Sequence, residues 1–415
     1  MKHNKFKGNT FLLMHKDVPC VQFTFHKYEM WAKFESILNK DHTPPNMIDN
    51  YRGYEYNLNK FLDHRVIPKE RPNISAIKDY FDSDSSLELS LRSYMLSVSD
   101  HYWIKPADSK VIWADVNFYD NSFEDDSIFI SSLTTLKKQV GDRTLISFHS
   151  HTPNTSNNGT LPQMWLHTDE SPVLYKTGNQ PFVQEPFNEA VVSDLLDVLG
   201  FNHVLYRLGT FGGSVVSACD AFTTASIEFI PVWQLEKSRT NHLNGLDNYL
   251  EFLRQNGCAV TDEIRKQLEE MIIIDYLTMN DDRHWGNFGI LRNSETLEFI
   301  GLAPIFDNGR TFAYNSFSGD YEAQPAPYNL SKAFAENGTH DRELTYVTGV
   351  HDIDHAALKA AVPDIFEKRL IEVKARFEAV DTSREVIEVL ERKVPNLIKT
   401  LIKRVDELDK QLRKT

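Results

Sequence analysis

The chain is poor in cysteine, in long apolar runs and in net positive charge. Its 415 residues hold three cysteines, Cys20, Cys219 and Cys258, none close to another in sequence. That excludes a disulfide framework and a zinc ribbon as sources of stability and suits a reducing compartment. The N-terminus is basic (Lys2, Lys5, Lys7), but its apolar run is only Phe11 to Met14. A secretory signal core needs about 7 residues or more. The longest interior apolar run, Met271–Ile274, cannot span a bilayer. Lys plus Arg number 45 against 59 Asp plus Glu, a net charge of −14. A generic binder of nucleic acid or of an anionic membrane needs a basic face, so neither partner is expected. No repeat, low-complexity tract, Walker motif or Gly-x-Gly-x-x-Gly is present. The expected setting is the cytoplasm.

A hydrophobic fraction of 41% and a charged fraction of 25% are those of an ordinary globular protein with a sizeable core. At about 150 residues per domain the length suggests two or three units. The spacing of apolar residues predicts a small, mostly helical accessory region over residues 1–108. Segments Tyr56–Leu62 and Leu87–Leu96 are its helix candidates. Thr43–Asn46 and Asp82–Ser86 read as loops. Residues 109–235 read as a β-rich lobe. Its strands are expected at Val111–Val116, Thr144–Phe148, Gln163–His167 and Pro172–Lys176. A polar loop spans His149–Thr160, and a helix spans Asn188–Leu199 and stops at Gly200. A hairpin follows, Val204–Leu208 and Val215–Phe222, turning at Gly209–Gly213. Residues 236–415 read as a helical lobe with helices near Tyr249–Leu253, Glu263–Met279 and beyond Ala356. Leu397, Leu401, Val405, Leu408 and Leu412 form one apolar stripe, most simply a face packed on the lobe. The C-terminal basic residues Lys399, Lys403, Arg404, Lys410, Arg413 and Lys414 read as a solvated face.

The informative segment is Asn280-Asp-Asp282-Arg283-His284-Trp-Gly-Asn287-Phe-Gly, followed by Pro304-Ile-Phe-Asp307-Asn-Gly. Asp282 and Asn287 form Asp-x-x-x-x-Asn, the spacing of the protein-kinase catalytic loop, and Asp307 sits in a turn after an apolar stretch. Phosphoryl transfer needs a carboxylate to position or deprotonate the nucleophile and oxygen ligands for magnesium. Asp282 suits the first task, Asn287 and Asp307 the second. Upstream, Lys176 closes a strand and Glu189 opens the next helix, the order of the lysine–glutamate pair that orients ATP phosphates, with Glu185 close by as a rival. Thr155-Ser156-Asn157-Asn158-Gly159-Thr160 is the candidate phosphate-cradling loop. Gly209–Gly213 is taken as a hairpin turn. His149 and His151 are a His-x-His pair for which spacing supplies no third ligand.

These motifs resemble the HipA-like serine/threonine kinases, distantly related to the phosphatidylinositol 3/4-kinase fold. The chain looks closest to the bacterial HipA-like proteins of Firmicute type. Tyr175-Lys176, Asn188-Glu189-Ala-Val-Val192, Leu199-Gly200, Ser97–Trp103 and Trp113–Asn121 fit the same pattern. The resemblance covers about residues 95–330. It implies an α+β, two-lobed protein-kinase-like fold, a β-rich N-lobe and a helical C-lobe, preceded by the accessory region. It implies ATP and Mg²⁺ as cofactors. Asp282 would be the catalytic aspartate, and Asn287 and Asp307 the magnesium ligands. Lys176 would contact the ATP phosphates, with Glu189 beside it. Ser156, Asn157, Asn158 and Gly159 would form the phosphate loop. Asp220 and Phe222 would lie at the adenine hinge, and His284 in the ATP site. In HipA a loop serine is autophosphorylated, which switches the enzyme off. Ser156 is the nearest match and Thr155 the second.

HipA-type loops carry a lysine soon after the glycine, whereas Leu161-Pro-Gln-Met164 has none. Arg283 stands where HipA has glycine, and residues 1–90 match only loosely. The resemblance further implies a protein substrate, with an aminoacyl-tRNA synthetase or another translation factor as the family's example. It also implies a candidate toxin role with a DNA-binding antitoxin as partner. The alternatives are a phosphoinositide-type lipid kinase, a nucleotide-binding pseudokinase, and a metal-dependent phosphohydrolase using His149, His151 and Asp307.

Overall fold

The structure, a computed structural model, describes residues 10–25, 31–48, 52–123, 151–168, 171–237, 243–322, 330–334, 338–349, 351–380 and 384–412. Near the N-terminus, strands β1 (Thr10–His15), β2 (Val18–Phe25), β3 (Ala32–Ile37) and β4 (Tyr102–Pro106) form an antiparallel sheet in the order β3-β2-β1-β4. The expectation of a mostly helical accessory region is therefore wrong. In β2, Val21, Phe23 and Phe25 are buried between the more exposed Gln22 and Thr24, the two-residue period of a half-buried strand. Helices α1 (Tyr54–Asp63), α2 (Ile74–Tyr80) and α3 (Ser86–Arg92) complete this region. Ser85 caps α3 by accepting the Glu88 N–H at 3.0 Å. The loop expected at Thr43–Asn46 instead opens a short helix, Pro45–Ile48, with proline at its start.

The strand expected at Val111–Val116 is a one-turn helix, Trp113–Val116. Trp113 and Val116, three apart, are buried while Ile112, Ala114 and Asp115 are exposed, so burial follows a helical spacing. The expected strand Thr144–Phe148, together with His149, lies outside the described residues.

Strands β5 (Gln163–Leu166), β6 (Val173–Lys176), β7 (Arg207–Phe211) and β8 (Ser214–Asp220) form a second antiparallel sheet, ordered β5-β6-β8-β7. The β7–β8 hairpin is tighter than expected. Phe211 faces Ser214, so only Gly212 and Gly213 turn, at φ 54° and 76°. Both positive values suit the primed two-residue turn that matches strand twist. Gly209 lies inside β7, and Val204 instead donates its N–H to the Ile305 carbonyl at 2.9 Å. Helix α4 (Glu185–Leu199) starts three residues earlier than expected and ends at left-handed Gly200, as the sequence suggested.

A third sheet, ordered β11-β10-β9, joins β9 (Ile227–Pro231), β10 (Gly289–Asn293) and β11 (Phe299–Leu302). The helices α5 (Gly245–Gln255), α6 (Asp262–Thr278), α7 (His355–Ala379) and α8 (Arg384–Leu412) surround a single large apolar core that also takes in α4. The α8 stripe is packed there. Leu397, Leu401, Val405 and Leu408 are buried. Arg404, expected on a solvated face, is also buried, donating to the Tyr276 carbonyl at 2.8 Å and pairing with Glu322. No described helix is long and apolar enough to cross a membrane.

Because Leu401 is 1% exposed within this core, Leu401→Ala is expected to lower unfolding free energy by about 2–5 kcal/mol. A fall in the urea midpoint at unchanged m-value checks it.

Candidate active site

Helix α6 ends when Met279 adopts a left-handed conformation, φ 48°, which throws the following residues out of the helical path. Asn280 then shapes the loop: its side-chain oxygen accepts the Asp282 N–H at 2.9 Å. The side chain of Arg283 turns inward and is fully buried. Its guanidinium grips Asp275, one turn back in α6, at 2.9 and 3.0 Å, and the Asn287 carbonyl at 3.2 Å. It also donates to the Phe306 carbonyl and the Asn308 side chain. Burial pushes the Asp275 carboxyl up, against the opposing pull of Arg283. The residue that departs from the family pattern thus ties the loop to the helix before it and the turn after it.

With Arg283 inside, Asp282 is left half-buried at the cleft. Its two carboxylate oxygens meet Lys332 Nζ at 2.9 Å and Arg310 Nη1 at 3.3 Å. The Asn287 amide donates to the Asp282 carbonyl at 3.0 Å, leaving its Oδ1 with no hydrogen-bond partner among the described residues. Neighbouring Asp281 is raised to about 6 by burial, against the pull of Arg310.

The second constellation lies opposite. The Lys176 ammonium, at the end of β6, contacts Asp307 and sits 3.2 Å from Glu189 Oε1. Burial opposes its charge, but the two carboxylates outweigh burial and hold it above its ordinary value. Burial likewise pushes Asp307 up, and Lys176 more than reverses it. Glu189 uses its other oxygen to accept the Asn308 N–H at 2.7 Å. Glu185, the rival partner, accepts the Asn179 N–H at 3.1 Å instead. Asp307 adopts φ 58°, a conformation rare outside glycine and tolerated best by Asp and Asn. Its N–H donates to the Tyr206 hydroxyl at 3.1 Å, and Asn188 holds the Gly309 and Thr311 carbonyls, both at 2.8 Å.

The candidate phosphate loop begins with a short 3₁₀ turn, Pro153–Thr155. Thr155 and Ser156 are buried. The Ser156 hydroxyl donates to the Leu96 carbonyl, and Ser90 donates to the Thr155 carbonyl at 2.7 Å. Asn157, Asn158, Gly159 and Thr160 face a cleft of about 650 Å³ that also takes in Lys176, Asp282, His284, Asn287 and Asp307. An aromatic wall closes its far side, with Phe306 5.3 Å from Phe222 and 5.5 Å from Phe229 between ring centres. His284 is exposed, its Nδ1 accepting the Gly286 N–H at 2.9 Å. Asp220 sits at the rim, its carboxylate turned into a two-point pair with Arg207 at 2.8 and 2.9 Å. His151 bonds the Val116 carbonyl at 2.8 Å, and its proposed partner His149 lies outside the described residues.

The expected residues therefore converge on one cleft, except Thr155 and Glu189, which lie behind its lining. Several lining groups were missed. Phe61, His64 and Arg65 come from the accessory region, as do Ser97 and Asp100 of the matched segment Ser97–Trp103; Arg310 comes from a turn, and Lys332 reaches Asp282 from just outside the lining. Phe61, His64, Arg65, Arg310 and Lys332 stand in no spaced motif, so nothing local in the sequence marks them.

If Arg283 organises this loop, Arg283→Met and Asp275→Asn each lose about 3–5 kcal/mol, since each leaves a buried charge or its partners unpaired. The double variant is expected to be less destabilised than the sum by about 1–3 kcal/mol in urea unfolding. Strict additivity would mean that the pair is not coupled.

No family model matches the chain. Over 128 residues it is 30% identical to the serine/threonine-protein kinase CtkA of Helicobacter pylori, a match covering 30% of this chain and 39% of that protein. The chain thus spans well under half the length of that curated relative. The crystal structure of the H. pylori proinflammatory kinase CtkA aligns over 60% of this chain and 92% of its own, at 20% identity and a TM-score of 0.38. The toxin HipA of Shewanella oneidensis, solved with HipB and operator DNA, aligns over 98% of this chain and 100% of its own, at 13% identity and a TM-score of 0.53. The chain resembles the HipA-like serine/threonine kinases and shares their two-lobed α+β fold.

Proposed function

We propose that the chain is an ATP- and magnesium-dependent protein kinase of HipA type acting on a serine or threonine hydroxyl. The observation that carries the reading is the convergence of Lys176–Glu189 and Asp282–Asn287–Asp307 on one cleft. A kinase needs both halves at once, and a surface loop needs neither.

In this reading the aromatic wall of Phe222 and Phe306 takes the adenine, and Asp220 marks the hinge edge. Lys176, oriented by Glu189, meets the α- and β-phosphates. The loop from Ser156 to Gly159 covers them, and His284 faces the polyphosphate. Asn287 Oδ1 and the Asp307 carboxylate are the hard oxygen donors that suit magnesium. Held by these two residues, the ion would supply positive charge to offset that developing on the phosphates. Asp282 orients the substrate hydroxyl and takes its proton. The hydroxyl oxygen bonds to the γ-phosphorus as the bond to the β–γ bridging oxygen breaks, and ADP departs. Lys332 and Arg310, now on Asp282, are placed to counter phosphate charge once a nucleotide is present.

Ser156 is the proposed autophosphorylation site, with Thr155 second. Both are buried beneath contacts from residues 90–96, so either must leave that position to accept a phosphoryl group. The protein substrate is proposed by analogy to be an aminoacyl-tRNA synthetase or another translation factor. A toxin role with a DNA-binding antitoxin follows the same analogy, since the HipA structure contains HipB and operator DNA. The net charge of −14 disfavours a lipid-kinase reading, which requires a basic membrane face. A second reading, a nucleotide-binding pseudokinase, draws support from the ion pairs that occupy both oxygens of Asp282.

Incubation with γ-labelled ATP and magnesium separates the two. Wild type is expected to gain a phosphate mapping to Ser156 or Thr155, or to label a protein acceptor. Asp282→Asn is expected to lose at least about 100-fold in rate. Nucleotide binding without phosphate transfer in wild type would favour the pseudokinase, and no nucleotide binding would overturn both readings.

A further inference from the structure

Arg71 lies in the accessory region, just before α2, and is 1% exposed. No acidic side chain is paired with it among the described residues, and burial alone pulls its guanidinium down to about 9. An arginine buried without a counter-charge is expensive, and proteins rarely keep one without a use. Here it meets the candidate phosphate loop. Its Nε donates to the Gly159 carbonyl at 2.8 Å and its Nη2 to the Asn157 carbonyl at 2.6 Å. Its Nη1, also buried, has no acceptor.

These two bonds fix the direction of the loop peptides. In a trans peptide the N–H points opposite to the C=O. With the Asn157 and Gly159 carbonyls drawn back to Arg71, the N–H groups of Asn158 and Thr160 point away from it. Gln163 holds the carbonyl between them, that of Asn158, at 3.0 Å. None of the N–H groups of Asn158, Gly159 and Thr160 has a hydrogen-bond partner among the described residues, and these three residues line the cleft. Successive free N–H groups backed by a fixed positive charge make an anion site. No cation follows Gly159 in Thr160-Leu-Pro-Gln163 to supply that charge from the loop itself.

We propose that Arg71 is a positioning residue for the polyphosphate of a nucleoside triphosphate, and that the accessory region thereby completes the nucleotide site. The assignment rests on the nucleotide-binding reading above and adds to it a group from outside the two lobes. Arg71 acts through the loop: it aims the N–H groups and places a charge behind them, and it does not touch the adenosine moiety.

The test is calorimetric binding of ATP with magnesium and, separately, of adenosine to the full chain. Arg71→Met keeps side-chain length and removes the buried charge. It is expected to weaken ATP about tenfold or more, the scale of lost charge-assisted hydrogen bonds, while adenosine stays within about twofold. Arg71→Lys keeps the charge but not the fork that spans two carbonyls, and should fall between. ATP affinity unchanged in Arg71→Met, or adenosine weakened in step with ATP, overturns the proposal. Should Arg71→Met fail to fold, amide exchange on wild type decides. ATP is expected to slow exchange at Asn158, Gly159 and Thr160 where adenosine does not, and equal exchange overturns the assignment. Wild type that binds neither ligand defeats the nucleotide reading and this inference together. Wild type that binds ATP no better than Arg71→Met defeats this inference alone.

Discussion

The Arg283 guanidinium is the constraint on which the cleft depends. Its five N–H groups reach Asp275 in α6, the Asn287 carbonyl in the loop, and both Phe306 and Asn308 in the turn that carries Asp307. A planar fork with five fixed donors can hold three segments in register, and a lysine cannot. From Asn308 the chain of bonds continues through Glu189 to Lys176 and returns to Asp307. The residues that face the cleft from opposite sides therefore belong to one buried polar network. Every link is satisfied by another member, which is the condition under which buried polar groups rigidify a site.

A second buried network explains why the N-terminal sheet shapes the cleft. Glu228 on β9 accepts from Arg292 on β10 at 2.7 Å and from His15 on β1 at 3.1 Å. It also accepts the backbone N–H of His101, beside β4, at 3.3 Å. Arg292 reaches on to the Tyr102 hydroxyl at 2.8 Å, and His15 to His42 at 2.9 Å. Burial opposes the charge on Glu228, but Arg292 and His15 hold it well below the usual carboxylate range. Trp233, just after β9, packs in the core of the N-terminal sheet. A charged pair and an aromatic group thus dock the accessory sheet directly on β9 and β10. The segments around its helices then reach the loop at 153–160, where Ser90, Ser93 and Arg71 hold the backbone and Thr155.

What was legible in the sequence follows from range. Asp282, Asn287 and Asp307 stand within 26 residues and are bound to local turns, so spacing alone marked them. Lys176 and Glu189 sit at a strand end and a helix start, and β6 and α4 are visible in their apolar periods. Glu189 could not be told from Glu185 because the choice is made by Asn308, 119 residues away. Arg283 looked like a defect in the motif because its partners are carbonyls and side chains scattered from 275 to 308. The N-terminal sheet was misread because its apolar run at Phe11–Met14 was weighed only as a leader, although β2 alternates plainly. Val111–Val116 is rich in β-formers and reads as a strand, although the spacing of Trp113 and Val116 is that of one helical turn. Arg71, Arg310 and Lys332 carry no local pattern at all, since an isolated cation in a polar segment acquires meaning only from what folds against it.

A chain with net charge −14 repels nucleic acid and anionic membranes at long range. Yet Lys176, Arg310 and Lys332 are gathered at the cleft, with Arg71 behind its loop. Each of the first three is paired with a carboxylate of the proposed catalytic set, so its charge is balanced locally. In the proposed reaction a polyphosphate entering there would exchange those pairs for its own oxygens and free Asp282 to face a hydroxyl. Arg71 differs from the other three in having no carboxylate to give up. Its charge is already committed to the loop, so it contributes the same attraction whether the cleft is filled or empty. Arg310 and Lys332 sit on Asp282 and Lys176 on Asp307, whereas Arg71 sits behind the proposed phosphate loop. In the proposed reaction, nucleotide binding would thus be the event that readies Asp282, while the loop is poised beforehand by the accessory region.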